Sequence, residues 1–478
     1  MDKPRHECGV IGIYNSNNFN LAHEIYLGLY ALQHRGQLSC GIAINHGKER
    51  VDYIKDFGLV PEVFAKENMK KLSRGGNGIT AIGHVRYSPG EFSEQANSQP
   101  LVMRYARGCI SISNNGRLTN FSSLQRELED MGTIFQTGSD AELIGYMIAR
   151  QRLKTECIED AIADIMPRLE GAYSFVVLSP KKLLAVRDPN GFRPLCIGKL
   201  KDSYVVASES CAIQSIGATF IRDVEPGEVV VIDKNGIRSN KNNCGNNSSL
   251  CVFEYIYFAR SDSVIDSLSV NRCRREAGAV LAHEFPVEAD VVIGVPDSGL
   301  DAAIGYSKES GIPYEIGFIK NRYIGRTFIQ NKQNAREKSV QIKLNPIRSA
   351  IKGKRIVLID DSIVRGTTSV NIVNLLKLAG ATQIHMRISS PPFLNPCYFG
   401  TDISSREYLI ACRLSNEEIC KKIGADSLGY LSMNGLRKIT KSSNLGLCDA
   451  CFTGKYPINI SDTFFNDKFN SKLKFISK

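Results

Sequence analysis

The strongest constraint on the fold is a repeated order of apolar run, polar loop and helix in the second half of the chain. The run 289–295 (ADVVIGV) leads into the loop 296–299 (PDSG) and a helical stretch that ends near Gly311. The run 354–359 (KRIVLI) leads into a second polar loop and a helical stretch that ends near Gly380. Apolar strands that alternate with helices are typical of a parallel sheet with helices on both faces. Ligands of such sheets bind at the carboxyl ends of the strands, where both loops lie.

The first half of the chain has a different pattern. Short β-type runs, such as 9–14 and 173–178, alternate with helical stretches at 124–131 and 141–152. This alternation predicts a layered arrangement of sheets and helices. A polar, turn-rich segment at 239–250 separates the two halves, and it is typical of a linker.

The length and composition of the chain limit the number of domains and the class of protein. The 478 residues suffice for two domains, which we predict at 8–238 and 251–465, followed by a basic tail at 466–478. A hydrophobic content of 43% with 23% charged residues is typical of a globular protein. No apolar run approaches the roughly 20 residues of a membrane span, and the charged start is not a secretory signal. We therefore expect a cytoplasmic protein without membrane partners, whose 14 cysteines stay reduced.

Positive charge is concentrated in one segment. The chain carries 60 Lys and Arg residues against 49 Asp and Glu residues. The segment 316–355 holds eleven of these basic residues and a single acid, Glu337. A solvated basic face or a nucleic-acid patch would have such a composition. Because the segment lies between the two polar loops, we favour an anionic small-molecule ligand and expect no nucleic-acid partner.

The segment 357–369 (VLIDDSIVRGTTS) is the most informative one. A buried strand delivers two adjacent carboxylates, and the loop behind them offers N–H groups and hydroxyls at a helix start, which suits a phosphate. An Asp-Asp pair alone is often a turn or a cap, but strand, acids and Thr-rich loop together indicate a sugar-phosphate site. The segment resembles the phosphoribosyl-pyrophosphate (PRPP) signature of type I phosphoribosyltransferases.

This resemblance implies a set of binding residues. The expected PRPP-binding residues are Asp360, Asp361, Ser362, Arg365, Gly366, Thr367, Thr368 and Ser369, with Lys320 and Arg322 from the basic loop 320–327. One Mg²⁺ per subunit is expected on Asp360, Asp361 and Ser298, where it would neutralise the leaving pyrophosphate. The basic loop would close over that pyrophosphate and exclude water.

A second set of motifs lies near the N-terminus. Cys8 directly precedes a β-type run, and a cysteine there can be a nucleophile if processing exposes its amine as the base. Most early cysteines are inert. Polar clusters nevertheless follow at 32–37 (LQHRGQ), 83–87 (GHVRY), 115–116 (NG) and 138–140 (GSD). Together with Cys8 they resemble the N-terminal-nucleophile glutamine amidotransferases.

That resemblance implies roles for individual residues. Residues 1–7 would be a propeptide, and Cys8 would attack the glutamine amide with its own amine as base. Arg86 would hold the α-carboxylate of glutamine and Asp140 its α-ammonium group. Asn115 and Gly116 would form the oxyanion hole. The fold class implied is a glutaminase domain with αββα layers (α+β), followed by a type I phosphoribosyltransferase domain of the α/β class.

Both halves together resemble the family of glutamine-dependent PRPP amidotransferases. Further matching blocks are 188–195 (DPNGFRPL), 254–260 (EYIYFAR) and 451–457 (CFTGKYP). The resemblance implies an enzyme that converts PRPP, glutamine and water into 5-phosphoribosylamine, pyrophosphate and glutamate, the first committed step of purine synthesis. Ammonia would travel between the two sites inside the protein. The family also implies a homo-oligomer, expected to be a tetramer, and inhibition by purine nucleotides bound at the phosphate loop.

The last candidate site consists of cysteines. Cys448 and Cys451 are spaced as CxxC, which alone leaves zinc, iron–sulfur, redox chemistry and no function open. Resemblance to the iron–sulfur branch of the family adds Cys251 and Cys397 and implies one [4Fe-4S] cluster per subunit. Cys244, seven residues before Cys251, is an alternative ligand.

Several positions depart from the usual family strings. They are the segment 87–90 (YSPG), Asn114, Gly138, the segment 38–40 (LSC) and Ser261. All but Ser261 fall in the glutaminase half. They motivate one alternative, a PRPP transferase with an inactive glutaminase half that uses external ammonia. A second alternative is a non-catalytic sensor of PRPP or nucleotides.

Overall fold

The computed structural model describes residues 8–17, 19–47, 51–87, 95–245, 247–321, 344–403, 405–441, 443 and 445–460. The predicted propeptide 1–7 and the basic tail lie outside these residues. So do Arg322, most of the basic loop, and residues 88–90 of the departing YSPG segment.

The first domain contains two antiparallel sheets. Its strands are β1 (Gly9–Tyr14), β2 (Ser39–Asn45), β3 (Val51–Phe57), β4 (Thr80–Arg86), β5 (Leu101–Tyr105), β6 (Gly108–Leu118), β7 (Gly171–Leu178), β8 (Leu183–Arg187), β9 (Cys196–Leu200), β10 (Ser203–Ala207), β11 (Thr219–Asp223), β12 (Val229–Asp233) and β13 (Gly236–Asn240). Its helices are α1 (Leu21–Ala31), α2 (Val60–Val63), α3 (Lys66–Leu72), α4 (Phe121–Asp130), α5 (Asp140–Gln151), α6 (Ile158–Ile165) and α7 (Ser210–Ser215). The strand orders are β11-β9-β10-β1-β4-β2-β3 and β13-β12-β8-β7-β6-β5.

Side-chain alternation along the strands builds four layers. On β1, Val10 faces a cluster shared with β7 and β8 of the other sheet, whereas Ile11 faces the cluster formed with α1. On the second sheet, Phe175 packs in the cluster that contains Ile144 and Ile148 of α5. The order is therefore helix, sheet, sheet, helix, and the predicted αββα fold is confirmed.

The second domain is built around a parallel sheet. Its strands are β14 (Leu250–Cys251), β15 (Val264–Ile265), β16 (Leu268–Ser269), β17 (Val291–Gly294), β18 (Phe318–Lys320), β19 (Leu344–Pro346), β20 (Arg355–Asp360), β21 (Gln383–Ile388), β22 (Ser427–Tyr430) and β23 (Leu447–Cys448). Its helices are α8 (Val270–Glu284), α9 (Leu300–Ser310), α10 (Arg348–Ile351), α11 (Thr367–Leu378), α12 (Asn416–Ile423), α13 (Met433–Ile439) and α14 (Ala450–Thr453). The central sheet has the order β17-β20-β21-β22, and each neighbouring pair is parallel.

Helices cover both faces of this sheet, as predicted. Val357 and Ile359 of β20 face α8 and α9, while Ile356 and Leu358 face α11 and α12. Both faces of each strand are thus buried, which is why the runs read as continuously apolar. No helix in the described ranges is long and apolar enough to cross a membrane.

Strands extend into both ends of the predicted linker. β13 ends at Asn240, beyond the predicted domain end at residue 238. β14 begins at Leu250, inside the segment 239–250, and pairs in parallel with β23. The irregular connection is therefore shorter than its polar composition suggests.

His84 joins the two sheets of the first domain. Its Nε2 lies 3.0 Å from the backbone carbonyl oxygen of Asn114, which ties β4 to β6. Because a carbonyl only accepts, the hydrogen bond requires the tautomer protonated at Nε2. Burial lowers the pKa of His84 to about 3, so the ring is neutral at physiological pH.

This burial predicts an acid-sensitive fold. In the folded protein the pKa of His84 lies below its ordinary value of 6.5. The contribution of neutral His84 to the free energy of unfolding is therefore complete above pH 6.5. It is lost at about 1.4 kcal/mol per pH unit as the pH falls from there towards the folded pKa. We expect His84→Gln, which keeps a donor but does not titrate, to flatten the fall of the unfolding midpoint temperature between neutral pH and about pH 5. His23→Gln, at a side chain that is 57% exposed, should leave the slope unchanged. Parallel slopes for wild type and His84→Gln would contradict this prediction.

Candidate active sites

Cys8 lies at the start of β1, beside the end of β4. The register pairs Gly9 with Val85, so Arg86 follows at the neighbouring position. The Sγ atom of Cys8 is 3.8 Å from the backbone carbonyl oxygen of Tyr87. Cys8 is half-buried and Arg86 is buried. The structure therefore brings the predicted nucleophile and the predicted carboxylate ligand to one strand edge.

The loop after α1 passes close to this edge. A Cβ atom added to Gly36 would lie 2.5 Å from the backbone nitrogen of Arg86, so only glycine permits this approach. The preceding residue, Arg35, donates from Nε to the carbonyl oxygen of Cys8 at 3.1 Å. The sequence motif LQHRGQ contains Arg35, but nothing in the sequence assigned this contact to it.

Asn115 and Gly116 lie on β6 of the opposite sheet. Asn115 is fully buried, and neither atom of its side-chain amide has a hydrogen-bond partner among the described residues. A buried amide without partners is costly unless a ligand satisfies it. Gly116 has a φ of 134°, and a Cβ atom there would lie 2.2 Å from the carbonyl oxygen of Ala172. The pair suits an oxyanion hole, and that role stays a prediction.

Asp140 is fixed next to this pair. It begins α5, and its Oδ1 accepts a hydrogen bond from the backbone N–H of Leu118 at 3.0 Å. Burial raises the pKa of Asp140, and the charge of Arg117 opposes the rise. An ammonium group placed against Asp140 would favour its ionised form. The hydrogen bond from His84 to the carbonyl oxygen of Asn114 joins β4 and β6 close to Arg86 and Asn115.

Two of the departing residues are accommodated by the backbone around the site. Asn114 donates from its N–H to Oε1 of Gln99 at 2.6 Å. Gly138 donates from its N–H to Oδ1 of Asn97 at 2.9 Å, and a Cβ atom there would meet nothing within 4 Å. Both contacts use the backbone N–H of the departing residue, so they do not depend on the identity of its side chain.

The predicted PRPP site lies at the carboxyl edge of the parallel sheet. Asp360 ends β20, and it is buried together with Asp361 and Ser362. The carboxylate of Asp361 accepts hydrogen bonds from Ser362, at 2.6 Å, and from Ser298 on the loop after β17. The structure therefore joins the two loops that the sequence placed at this edge.

The phosphate loop follows directly. Gly366 has a φ of 89° and precedes α11, whose first three residues are Thr367, Thr368 and Ser369. The start of this twelve-residue helix offers a positive dipole end to an anion. Arg365 lies with its guanidinium 5.0 Å from the centre of the Tyr408 ring. Lys320 forms an ion pair with Asp297, which brings the start of the basic loop to the same edge.

Four cysteines line one cavity at the domain boundary. They are Cys251, Cys397, Cys448 and Cys451, and Phe192 and Arg193 of the first domain are among the other residues that line it. Burial is the main cause that raises the pKa of Cys451, and the other three cysteines raise it further, which reflects their proximity. Cys244 does not line this cavity. Within the described ranges, no group of three or more His, Cys, Asp or Glu side chains is arranged as a metal site.

Three comparisons relate the chain to known proteins. The glutamine amidotransferase domain family matches residues 84–215, and the phosphoribosyl transferase domain family matches residues 266–389. The chain is 46% identical to an amidophosphoribosyltransferase of Methanocaldococcus jannaschii, over 95% of this chain and 98% of the relative. It is 48% identical to one of Bacillus subtilis, over 95% and 94% respectively.

Solved structures agree with these sequence matches. One is described as the allosteric regulatory enzyme of purine biosynthesis and superposes with a TM-score of 0.89 at 46% identity, covering 95% of this chain and 97% of that chain. The glutamine PRPP amidotransferase of B. subtilis, complexed with ADP and GMP, superposes with a TM-score of 0.88 at 47% identity, covering 95% and 98%. The chain therefore belongs to the amidophosphoribosyltransferase family.

Proposed function

We propose that Cys8 releases ammonia from glutamine and that the ammonia displaces pyrophosphate from PRPP bound at Asp360, Asp361 and the phosphate loop. The chain is a glutamine-dependent amidophosphoribosyltransferase of purine biosynthesis by family. The observation that best supports the assignment of residues is the fully buried amide of Asn115, which has no hydrogen-bond partner in the described structure. Such an amide is suited to a developing oxyanion.

The first half-reaction uses the residues at the sheet edge. After removal of residues 1–7, the amine of Cys8 takes the thiol proton as Sγ attacks the glutamine amide carbonyl. Asn115 and the N–H of Gly116 stabilise the oxyanion. The protonated amine of Cys8 then returns its proton to the leaving nitrogen, so that the collapsing intermediate expels ammonia and leaves a thioester. Water then hydrolyses the thioester to glutamate. Arg86 and Asp140 hold the α-carboxylate and the α-ammonium group of the substrate.

The second half-reaction takes place at the parallel sheet. Ammonia attacks C1 of PRPP as the bond to pyrophosphate breaks, which gives 5-phosphoribosylamine. Free ammonia is mostly protonated at neutral pH, so an enclosed path between the domains preserves its reactivity. The phosphate loop binds the 5′-phosphate, and Lys320 and Arg322 bind the pyrophosphate.

We propose that Mg²⁺ and purine nucleotides bind at the same edge of the sheet. The hydroxyl of Ser298 and the carboxylate of Asp361 are in contact, and Asp360 is adjacent. Mg²⁺ typically takes one or two carboxylates and completes its shell with substrate oxygens and water, so these residues fit it. When bound, the ion supplies charge neutralisation for the pyrophosphate.

The relative solved with ADP and GMP supports purine nucleotides as inhibitors. We further propose a cytoplasmic homotetramer.

We propose that the cysteine cavity holds a [4Fe-4S] cluster, for which it has the donor set although the four side chains are not arranged as a metal site in the described structure. Four thiols are the donor set of such a cluster, and all four line one cavity. We propose Cys251, Cys397, Cys448 and Cys451 as its ligands. All fourteen cysteines lie in the described residues, and none of them forms a disulfide there.

Cys8→Ala tests the glutaminase assignment. We expect glutamine-dependent release of pyrophosphate to fall by at least about 1,000-fold because the covalent step is lost. Release driven by added ammonia should persist, because the PRPP site is intact. Cys157→Ala, at a half-buried cysteine outside both sites, is the matched control and should retain both activities. Unchanged glutamine-dependent activity in Cys8→Ala would exclude Cys8 as the nucleophile. A wild-type protein active with ammonia alone would favour the alternative with an inactive glutaminase half.

Asp361→Asn tests the PRPP site. We expect pyrophosphate release with either nitrogen donor to fall by at least about 100-fold, because a neutral amide replaces the buried carboxylate that would hold the cation. Asp290→Asn is the control: Asp290 pairs with Arg355 at the opposite edge of the same sheet, and this variant should remain active. Direct PRPP binding by calorimetry separates the alternatives, since a sensor would bind PRPP without releasing pyrophosphate.

The cluster makes a separate prediction. Protein purified without oxygen should be brown and contain about four iron atoms per chain. Cys451→Ser should lose most of the iron, whereas Cys244→Ser should retain it. Stoichiometric zinc or a colourless stable protein would refute the cluster. Iron loss in Cys244→Ser, with retention in Cys451→Ser, would instead identify the alternative ligand.

A further inference from the structure

The loop 397–401 of the second domain lies against the oxyanion hole of the first. A Cβ atom added to Gly400 would lie 3.7 Å from both Cα and the carbonyl carbon of Gly116. It would also lie 3.4 Å from Nη2 of Arg193. Gly400 has a φ of 118°, in the region that favours glycine. A Cβ atom would thus meet Gly116 at ordinary van der Waals distance. The positive φ, and not a lack of space, favours glycine at this point of close contact between the two backbones.

Two residues of the first domain hold this loop. Arg193 is fully buried, and its Nη2 donates to the carbonyl oxygen of Phe399 at 2.7 Å. The Phe192 and Phe399 rings stack with their centroids 4.2 Å apart. Both contacts are buried, so water does not compete for them. The residue that precedes Gly400 is thus fixed to the same domain as Gly116.

The same loop is anchored on its other side at the cysteine cavity. The N–H of Cys397 donates to the carbonyl oxygen of Ile403 at 3.1 Å, and the Tyr456 hydroxyl donates to that of Pro396 at 2.7 Å. The N–H of Cys251 donates to the carbonyl oxygen of Phe192 at 3.1 Å. The loop is therefore held from both domains, which limits its movement relative to Gly116.

We propose that Gly400 is a positioning residue of the glutaminase and that the loop 397–401 supports Gly116 in the oxyanion hole. The proposal rests on the glutaminase function proposed above. Gly116 already packs on the carbonyl oxygen of Ala172, and Gly400 adds a contact from the other domain. Oxyanion donors act through their exact placement, and a small displacement removes much of their effect. Contact across the domain boundary thus sets the rate of glutamine hydrolysis.

Gly400→Ala tests the proposal. We expect kcat for glutamate release to fall about tenfold or more. The KM for glutamine and the ammonia-driven release of pyrophosphate should each stay within about twofold. Gly353→Ala is the matched control, because Gly353 also has a positive φ, of 75°, but a Cβ atom there meets nothing within 4 Å. Both activities should persist in the control. An equal loss of glutaminase activity in Gly353→Ala would overturn the proposal.

Alkylation of Cys8 by iodoacetamide, followed by mass spectrometry, supplies a second readout. It needs the thiol but no oxyanion donor, so we expect equal rates in wild type and Gly400→Ala. Retained glutamine turnover in Gly400→Ala, or slowed alkylation, would overturn the proposal. If Gly400→Ala also loses ammonia-driven activity, Phe399→Leu decides: selective loss of glutamine turnover supports the proposal, and any other result refutes it. A wild-type enzyme that releases no glutamate would refute the proposed function itself.

Discussion

The guanidinium of Arg35 connects the nucleophile to both domains. It donates to the carbonyl oxygen of Cys8 at 3.1 Å and pairs with Glu209 of the first domain at 2.7 Å and with Glu254 of the second at 2.8 Å. None of the three charged side chains is exposed. A buried charge that loses a partner costs about 3–5 kcal/mol, so this pairing requires both domains in their present arrangement. The position of the Cys8 backbone consequently depends on the interface between the two domains.

Further hydrogen bonds extend from this centre towards the PRPP site. Glu209 accepts from the backbone N–H of Arg260 at 2.9 Å and from the Ser263 hydroxyl at 2.7 Å. Between them, the Ser261 hydroxyl donates to Asp301, near the start of α9. That helix follows the loop of Ser298. Ser261, one of the departing residues, therefore lies in the segment that connects Glu209 with the helix behind the loop of Ser298.

The fold was predictable, and its strand-end loops could be located, for identifiable reasons. The strands of the parallel sheet are buried on both faces, so they appear in the sequence as apolar runs, and the functional loops directly follow them. Asp360 and Asp361 follow from that position. Arg35 could not be given its role, because its partners Glu209 and Glu254 are 174 and 219 residues away in sequence. Nor does any periodicity indicate that Gly400 approaches Gly116, since both are single glycines in unrelated segments.

The sequence by itself determined the layers, the strand-end loops and the residue types of each site, because these depend on local periodicity and on short motifs. It also supplied the four cysteines as candidates. Only the tertiary structure decided that those four, and not Cys244, line one cavity, and that Arg35, Arg193 and Gly400 join the halves of the molecule. Contacts of this kind arise when distant segments pack against each other, and buried charges and close backbone approaches are specified by that packing alone.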